Sequence, residues 1–399
     1  MPVKIKKAGG YVDATVMVKK IGGYVSANGM LKVANAYQSV TTPPDPSYTK
    51  TRAQLAAVSG GTGYARFAVM GDSTVAGFGS TGATPNRSGA VVVGLKAALR
   101  ATQSRPVLST SYIGDQSFFV TNGIAAHTVD SRLSAPDGTG YTAQTTRCAG
   151  GSMLANSLNA NRLGFLAEDP VDTFDIYYAR NAGLGSTKVN RVGSVQGTFN
   201  GAGTPSATLK YTYSTVLGST DPLYFAINSG NSFISGIDAY DSTTKSVRLF
   251  GIGWSGGRVA DWIANVNGFD PFPSLLAMQL DLVVLRVGTN DARTNSGLAA
   301  FSTNLTTLVD ALIAGGTNVA IATHFPFDPA VASQAQQDSY VQAARDVATS
   351  RSLRVFDTYA RIGTYANAVA NGWMYDTLHP NASGYQIDTA LMATFILSL

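Results

Sequence analysis

Apolar runs and amphipathic stretches alternate in two separated parts of the chain. Ala65-Arg-Phe-Ala-Val-Met70 reads as a buried strand that ends at Gly71-Asp-Ser-Thr74. Residues 88–102 carry apolar positions at helical spacing and predict an amphipathic helix. The same rhythm returns after residue 250. Strands are predicted over 281–287, 318–323 and 353–356, and helices over 298–314, 330–350 and 383–397. Strands alternating with helices predict a parallel sheet in an α/β domain.

Between about 105 and 248 the texture changes. Short β-rich runs at 173–178, 207–213, 223–227 and 246–250 alternate with Gly, Ser, Thr and Asn turns, and no long helix is legible. This pattern predicts an all-β sandwich or jelly roll, inserted after the first strand and helix of the α/β domain.

The beginning of the chain is different again. Residues 3–14 recur at 16–27 with eight of twelve positions identical, a period of 13. Each unit reads as strand, Gly-Gly turn, strand. Two such hairpins are too small to bury a core alone, so they belong to an attachment or oligomerisation element or to a flexible basic tail. Thr41-Thr-Pro-Pro-Asp-Pro46 blocks both helix and sheet and marks a linker. The expected organisation is a terminal segment over 1–50, an α/β domain over 51–104 and 249–399, and a β insert over 105–248.

Composition narrows the functional classes. With 45% hydrophobic and only 13% charged residues, the chain has material for real cores and a surface rich in small polar groups, of the kind that suits neutral polymers such as carbohydrate. The net charge of +5 lies in residues 1–50, which hold seven lysines against two aspartates, so the rest is neutral and nucleic acid is not an expected partner. The single cysteine, Cys148, excludes an intramolecular disulfide framework. The three histidines, His127, His324 and His379, make a multi-histidine metal site improbable, and no cofactor or metal is expected. No apolar run reaches membrane-spanning length, and the stretch 8–18 is too broken to serve as the core of a secretory signal.

Four segments of the α/β part fit one chemistry. Gly71-Asp-Ser73 follows the first strand, Gly253-Trp-Ser-Gly256 follows the strand that leaves the insert, Gly288-Thr-Asn-Asp291 follows the next strand, and Asp376-Thr-Leu-His379 precedes the last helix. Loops at the carboxyl ends of parallel strands converge on one crevice. There Ser73 can be a nucleophile, His379 the base that takes its proton, and Asp376 the group that fixes the imidazole tautomer. The backbone N–H groups of Ser73 and Gly256 and the Asn290 side-chain amide can meet the charge that develops on an attacked carbonyl. Asp72 and Asp291 are expected to brace their loops. His324 is expected to be packed or at the substrate rim, His127 to lie on the surface, and Cys148 to be buried. Trp254 and Trp262 are core residues or sugar-stacking groups.

The four segments resemble blocks I, II, III and V of the SGNH (GDSL-type) hydrolases. The resemblance implies a three-layer α/β/α sandwich with a flavodoxin-like parallel sheet, a triad of Ser73, Asp376 and His379, and an oxyanion hole of Ser73, Gly256 and Asn290. The layout also resembles esterase domains of bacteriophage tail fibres and tailspikes, where a β-sandwich similar to a carbohydrate-binding module lies between the first two blocks. That likeness implies an O-acetylesterase acting on a bacterial surface polysaccharide, a place in a virion tail with other tail proteins as partners through residues 1–50, a trimer, and release by lysis without a signal peptide. A plant-polysaccharide acetylesterase, a lipase-like esterase and a non-enzymatic glycan-binding fibre are the alternatives.

Overall fold

Five apolar strands form a parallel sheet in the order Val247–Gly253, Ala65–Gly71, Leu282–Arg286, Asn318–Ala322, Val355–Phe356. Numbered along the chain this is 2-1-3-4-5, the flavodoxin-like order, whose crevice opens where the winding reverses. Consecutive strand positions are apolar because both faces are covered. Phe67, Val69, Leu282, Val284, Ala320 and Ala322 pack toward the helices Thr49–Ser59, Val91–Thr102 and Ala382–Leu397. Ala68, Met70, Val283, Leu285, Val319 and Ile321 pack toward Leu298–Ala314 and Gln334–Ser350 on the other side. The result is the expected three-layer α/β/α sandwich. The structure is a computed structural model. It describes the strands within 3–40 and residues 48–80, 91–102, 107–113, 130, 132–137, 141–157, 162–191, 193–216 and 222–399. The Pro-rich linker and His127 lie outside the described residues.

Helix limits follow local capping. Leu298–Ala314 matches its sequence-predicted span. The helix expected from residue 330 begins instead at Gln334, because the Ser333 side chain accepts from the Gln336 N–H and caps it. Thr49–Ser59 has no counterpart in the sequence reading. It is pinned from its first turn, where the buried Tyr48 donates its hydroxyl to the Val319 carbonyl at 2.6 Å and accepts from the Arg354 N–H at 2.9 Å.

The β insert is a two-sheet sandwich, but it does not stand apart. Val107–Ile113 pairs parallel with Val247–Gly253 and antiparallel with Ser232–Tyr240. The parallel sheet therefore runs without a break into the insert and reaches eleven strands. The sequence reading placed 107–113 and residues 247–248 in the insert; Val247–Gly253 is one of the five strands above, and Val107–Ile113 adds a sixth parallel strand beside it. The second sheet has five strands, in the order Ser194–Asn200, Ser186–Arg191, Leu223–Ser229, Leu163–Phe165, Leu133–Ser134. Leu154, Ile176, Tyr178, Val189, Phe225 and Ile237 close the core between the sheets.

A buried ionic cluster ties the insert to the parallel sheet. Arg248 of the Val247–Gly253 strand bonds Asp238, and Asp175 at 3.2 Å, while its guanidinium lies 3.7 Å from the Tyr240 ring centroid. Burial alone would lower the Arg248 pKa, but the facing carboxylates raise it above its ordinary value. Arg248→Met leaves two buried carboxylates without this partner. The expected cost is about 3–5 kcal/mol, seen as a lower urea midpoint whose deficit shrinks as acid neutralises the carboxylates.

The terminal repeat forms hairpins, Val3–Lys7 with Gly10–Ala14 and Met17–Lys20 with Gly23–Ser26. A third, Gly29–Val33 with Ala36–Val40, follows. Met30, Lys32, Tyr37 and Ser39 repeat Met17, Lys19, Tyr24 and Ser26 at the same period of 13, and Lys6–Tyr11, Lys19–Tyr24 and Lys32–Tyr37 hold equivalent register. Among the described residues no helix is long and apolar enough to cross a membrane.

Candidate active site

The nucleophile loop is shaped by glycine. A Cβ at Gly71 would lie 2.2 Å from the Arg286 carbonyl oxygen and 2.7 Å from Val75 Cγ2, so only glycine lets the strand end turn so tightly. Asp72 then caps the short helix Ser73–Ala76, accepting from the Thr74 N–H at 2.9 Å and the Thr74 hydroxyl at 2.8 Å. This is the bracing role expected of it. Ser73 is the first residue of that helix, where backbone N–H groups lack an intrahelical acceptor.

His379 reaches Ser73 from the far end of the sequence. Its Nε2 lies 2.9 Å from Ser73 Oγ, and its Nδ1 lies 2.9 Å from Asp376 Oδ2 and 3.1 Å from Oδ1. Asp376 Oδ1 also accepts the backbone N–H groups of Leu378, at 2.7 Å, and His379, at 2.6 Å. Burial alone would raise the Asp376 pKa, but bonds from the His379 ring and these two amides hold it below the usual carboxylate value. The ionised carboxylate therefore accepts the proton of Nδ1, which leaves Nε2 to accept from the Ser73 hydroxyl.

Two residues not singled out in the sequence hold the histidine. The Phe78 ring lies against the imidazole, with centroids 4.1 Å apart and planes inclined by 36°. Asn381 caps Ala382–Leu397 through its oxygen and donates its amide to the Gly372 and Met374 carbonyls, at 2.7 and 3.2 Å, which anchors the loop before His379. The signals were an aromatic residue between Gly77 and Gly79, and an Asn directly before a helix.

The other two segments meet beside Ser73. Asn290 Nδ2 donates to the Gly257 carbonyl at 3.1 Å, which leaves its second amide hydrogen. Asp291 accepts from the Val259 N–H at 3.2 Å and the Ser296 hydroxyl at 3.0 Å, bracing both loops, and burial pushes its pKa up. The three glycines of the second segment have different tasks. A Cβ at Gly253 would lie 2.4 Å from the Ala76 nitrogen, so Gly253 lets its strand pack on the Ser73 helix. The Gly257 N–H is bonded to the Trp254 carbonyl at 2.9 Å. Gly256 has φ +80° and open space at its Cβ position, and its N–H donates to no group among the described residues.

The remaining candidates separate. His324 is buried against Phe327 and Tyr359, donates Nδ1–H to the Phe325 carbonyl at 2.9 Å, and is held neutral by burial, which lowers its pKa. Cys148 is buried. Trp262 is fully buried with its Nε1–H on the Ala149 carbonyl at 2.9 Å, whereas Trp254 is only partly buried. Among the described residues no cluster of three or more His, Cys, Asp or Glu could hold a metal.

Residues 235–387 match the model of the GDSL-like Lipase/Acylhydrolase family. Over that stretch, less than half of its length, the chain is similar to the family. The match begins inside the insert, so the Gly71-Asp-Ser73 segment lies outside it. No curated protein matches the chain. Among solved structures the chain is similar to one described as a peptidoglycan O-acetylesterase in action, with 16% identity and a TM-score of 0.65 over 89% of this chain and 96% of that one. That coverage is larger than the α/β/α part alone, so the likeness in fold extends into the sandwich. Smaller regions are similar to an acetyl xylan esterase, AlAXEase (18% identity, 38% of this chain, 81% of that one, TM-score 0.33), and to a lipase/acylhydrolase from Enterococcus faecalis (24%, 38%, 76%, TM-score 0.33).

Proposed function

We propose that this chain is a serine esterase that removes O-acetyl groups from a bacterial surface polysaccharide, carried on a phage tail through residues 1–50. The observation that carries the chemistry is the unbroken relay from Ser73 Oγ through His379 to Asp376, with links of 2.9 Å each. Ser73 Oγ attacks the ester carbonyl while His379 Nε2 takes its proton. The oxyanion is met by the N–H groups of Ser73 and Gly256 and by the second amide hydrogen of Asn290. Collapse expels the sugar oxygen, which His379 protonates. The acetyl-Ser73 ester is then hydrolysed by a water that His379 deprotonates, and acetate leaves.

The glycan part of the reading is supported by the low-charge, small-polar composition and by a sandwich built into the same sheet as the nucleophile strand. A fold shared with a structure described as a peptidoglycan O-acetylesterase is consistent with it. The tail part is supported by the Lys–Tyr hairpin repeat.

The test has two arms. A fluorophosphonate probe should add once, on the peptide that contains Ser73. Mass spectrometry of O-acetylated bacterial polysaccharides should show acetyl loss, and short acyl esters should be cleaved faster than long-chain ones. Labelling of another residue would overturn the nucleophile, and a preference for long chains would replace the acetylesterase by a lipase.

A further inference from the structure

Val107–Ile113 pairs with Val247–Gly253 on one side and with Ser232–Tyr240 on the other, so the sandwich and the α/β part adjoin along this edge. Where the two meet there is a groove of about 630 Å³, within the size range of small-molecule sites. Thr146, Arg147 and Asn181 line it from the sandwich side, and Trp254, Asn267 and Asp270 from the hydrolase side. Neither side alone encloses it.

The groove is joined to the active site through Trp254. Its N–H donates to the Gly71 carbonyl at 2.8 Å, two residues before Ser73, and Gly256 follows it by two residues. The indole stands nearly perpendicular to that of buried Trp262, with centroids 5.7 Å apart, and the Arg147 guanidinium lies over one face, 5.3 Å from the ring centroid. An aromatic ring is thus fixed in place in the wall of the groove.

Polar groups that the fold does not use gather at the same place. Trp254 Nε1 and the Asn267 carboxamide make no hydrogen bond among the described residues. Among the described residues Asn181 uses only its side-chain oxygen, on the Ala182 N–H at 2.8 Å, which leaves its NH₂ group. Asp270, by contrast, is occupied by the Val266 and Asn267 N–H groups, both at 2.7 Å. Planar amides beside an indole are the chemistry that recognises a pyranose. The ring's C–H face packs on the aromatic surface, and its hydroxyls both give and receive hydrogen bonds with carboxamides.

We propose that this groove is a subsite for a sugar ring of the substrate chain next to the ester-bearing one, with Asn181 as the sandwich's contribution and Asn267 as the hydrolase's. As a substrate subsite it rests on the esterase reading, whereas the binding of sugar needs no working triad. The test therefore uses the full chain carrying Ser73→Ala. Cellotetraose, chitotetraose and maltotetraose, with their monosaccharides, are titrated by tryptophan fluorescence and calorimetry. At least one tetrasaccharide should bind and perturb the emission, and its monosaccharide should bind more weakly. Adding Asn181→Ala or Asn267→Ala, changes on two separate elements, should each weaken binding about tenfold, equivalent to ~1.4 kcal/mol. Val195→Ser, on the exposed Ser194–Asn200 strand, should not. No binding by any tetrasaccharide would overturn the subsite, as would binding that Val195→Ser weakens and the asparagine changes do not. p-Nitrophenyl acetate hydrolysis by the unaltered chain, measured in parallel, reads the esterase reading alone.

Discussion

Ser73→Ala is expected to lower kcat on p-nitrophenyl acetate by about a million-fold. The size follows from what the change removes and what it spares. Among the described residues Ser73 Oγ makes one hydrogen bond, to His379 Nε2. The helix that carries it is capped by Asp72, not by Ser73. The backbone N–H of residue 73 survives the change, and so do Gly256, Asn290 and the whole relay behind His379. Loss of the nucleophile is therefore isolated from loss of oxyanion stabilisation, which alone sustains roughly 10³–10⁴-fold acceleration over water in sites of this design. The urea midpoint should stay within about 0.5 kcal/mol of the unaltered chain, as for most substitutions that break no packing or bonding feature. Acetate release within tenfold of the unaltered rate would remove Ser73 from the chemistry.

The parallel sheet was legible because strands buried on both faces leave continuous apolar runs that glycines and polar turns interrupt. How far the sheet extends was not. Val107–Ile113 finds its partner strand well over a hundred residues away, and no local pattern encodes a pairing at that separation. Arg248 was hidden for a related reason. A charged residue in a strand reads as a solvent-facing position, yet Asp175 and Asp238 meet it from two other strands and make its burial tolerable. The third hairpin escaped because Gly22-Gly23 of the second unit is replaced by Asn35-Ala36 in the third, and the turn signal went with the glycines.

The candidate triad could be picked out in the sequence because acyl transfer restricts residue type so tightly. A serine after a strand and an Asp-x-x-His before a helix have few other joint explanations. Choosing among Gly253, Gly256 and Gly257 was beyond the sequence, since all three are the same residue type. Backbone geometry separates them: one is closed by packing, one N–H is already bonded, and Gly256 keeps a positive φ and an open N–H. The two tryptophans of the second segment divide in the same way, one into the core and one onto the groove, although they are only eight residues apart.

Asp376→Asn is expected to cost about 10⁴-fold in kcat with little change in fold. The backbone determines how the asparagine sits. The Leu378 and His379 N–H groups, at 2.7 and 2.6 Å from Oδ1, require an acceptor there. The amide oxygen must take that place, so the NH₂ group occupies the position of Oδ2, 2.9 Å from His379 Nδ1. Nδ1 must then become the acceptor, and the ring proton moves to Nε2. That atom now points a donor at Ser73 Oγ and can no longer take the hydroxyl proton. ¹⁵N shifts of the His379 ring read this tautomer directly and would not move if Asp376 only supported the loop. The pH dependence follows from the depressed carboxylate pKa. Stability contributed by ionised Asp376 is present above the ordinary carboxylate value of about 3.9 and is lost as pH falls through the lower folded-state value. Removing the charge in Asp376→Asn should therefore flatten the acid limb of the unfolding curve. Full activity in this variant, or an unchanged ring tautomer, would leave His379 without the partner that the mechanism requires.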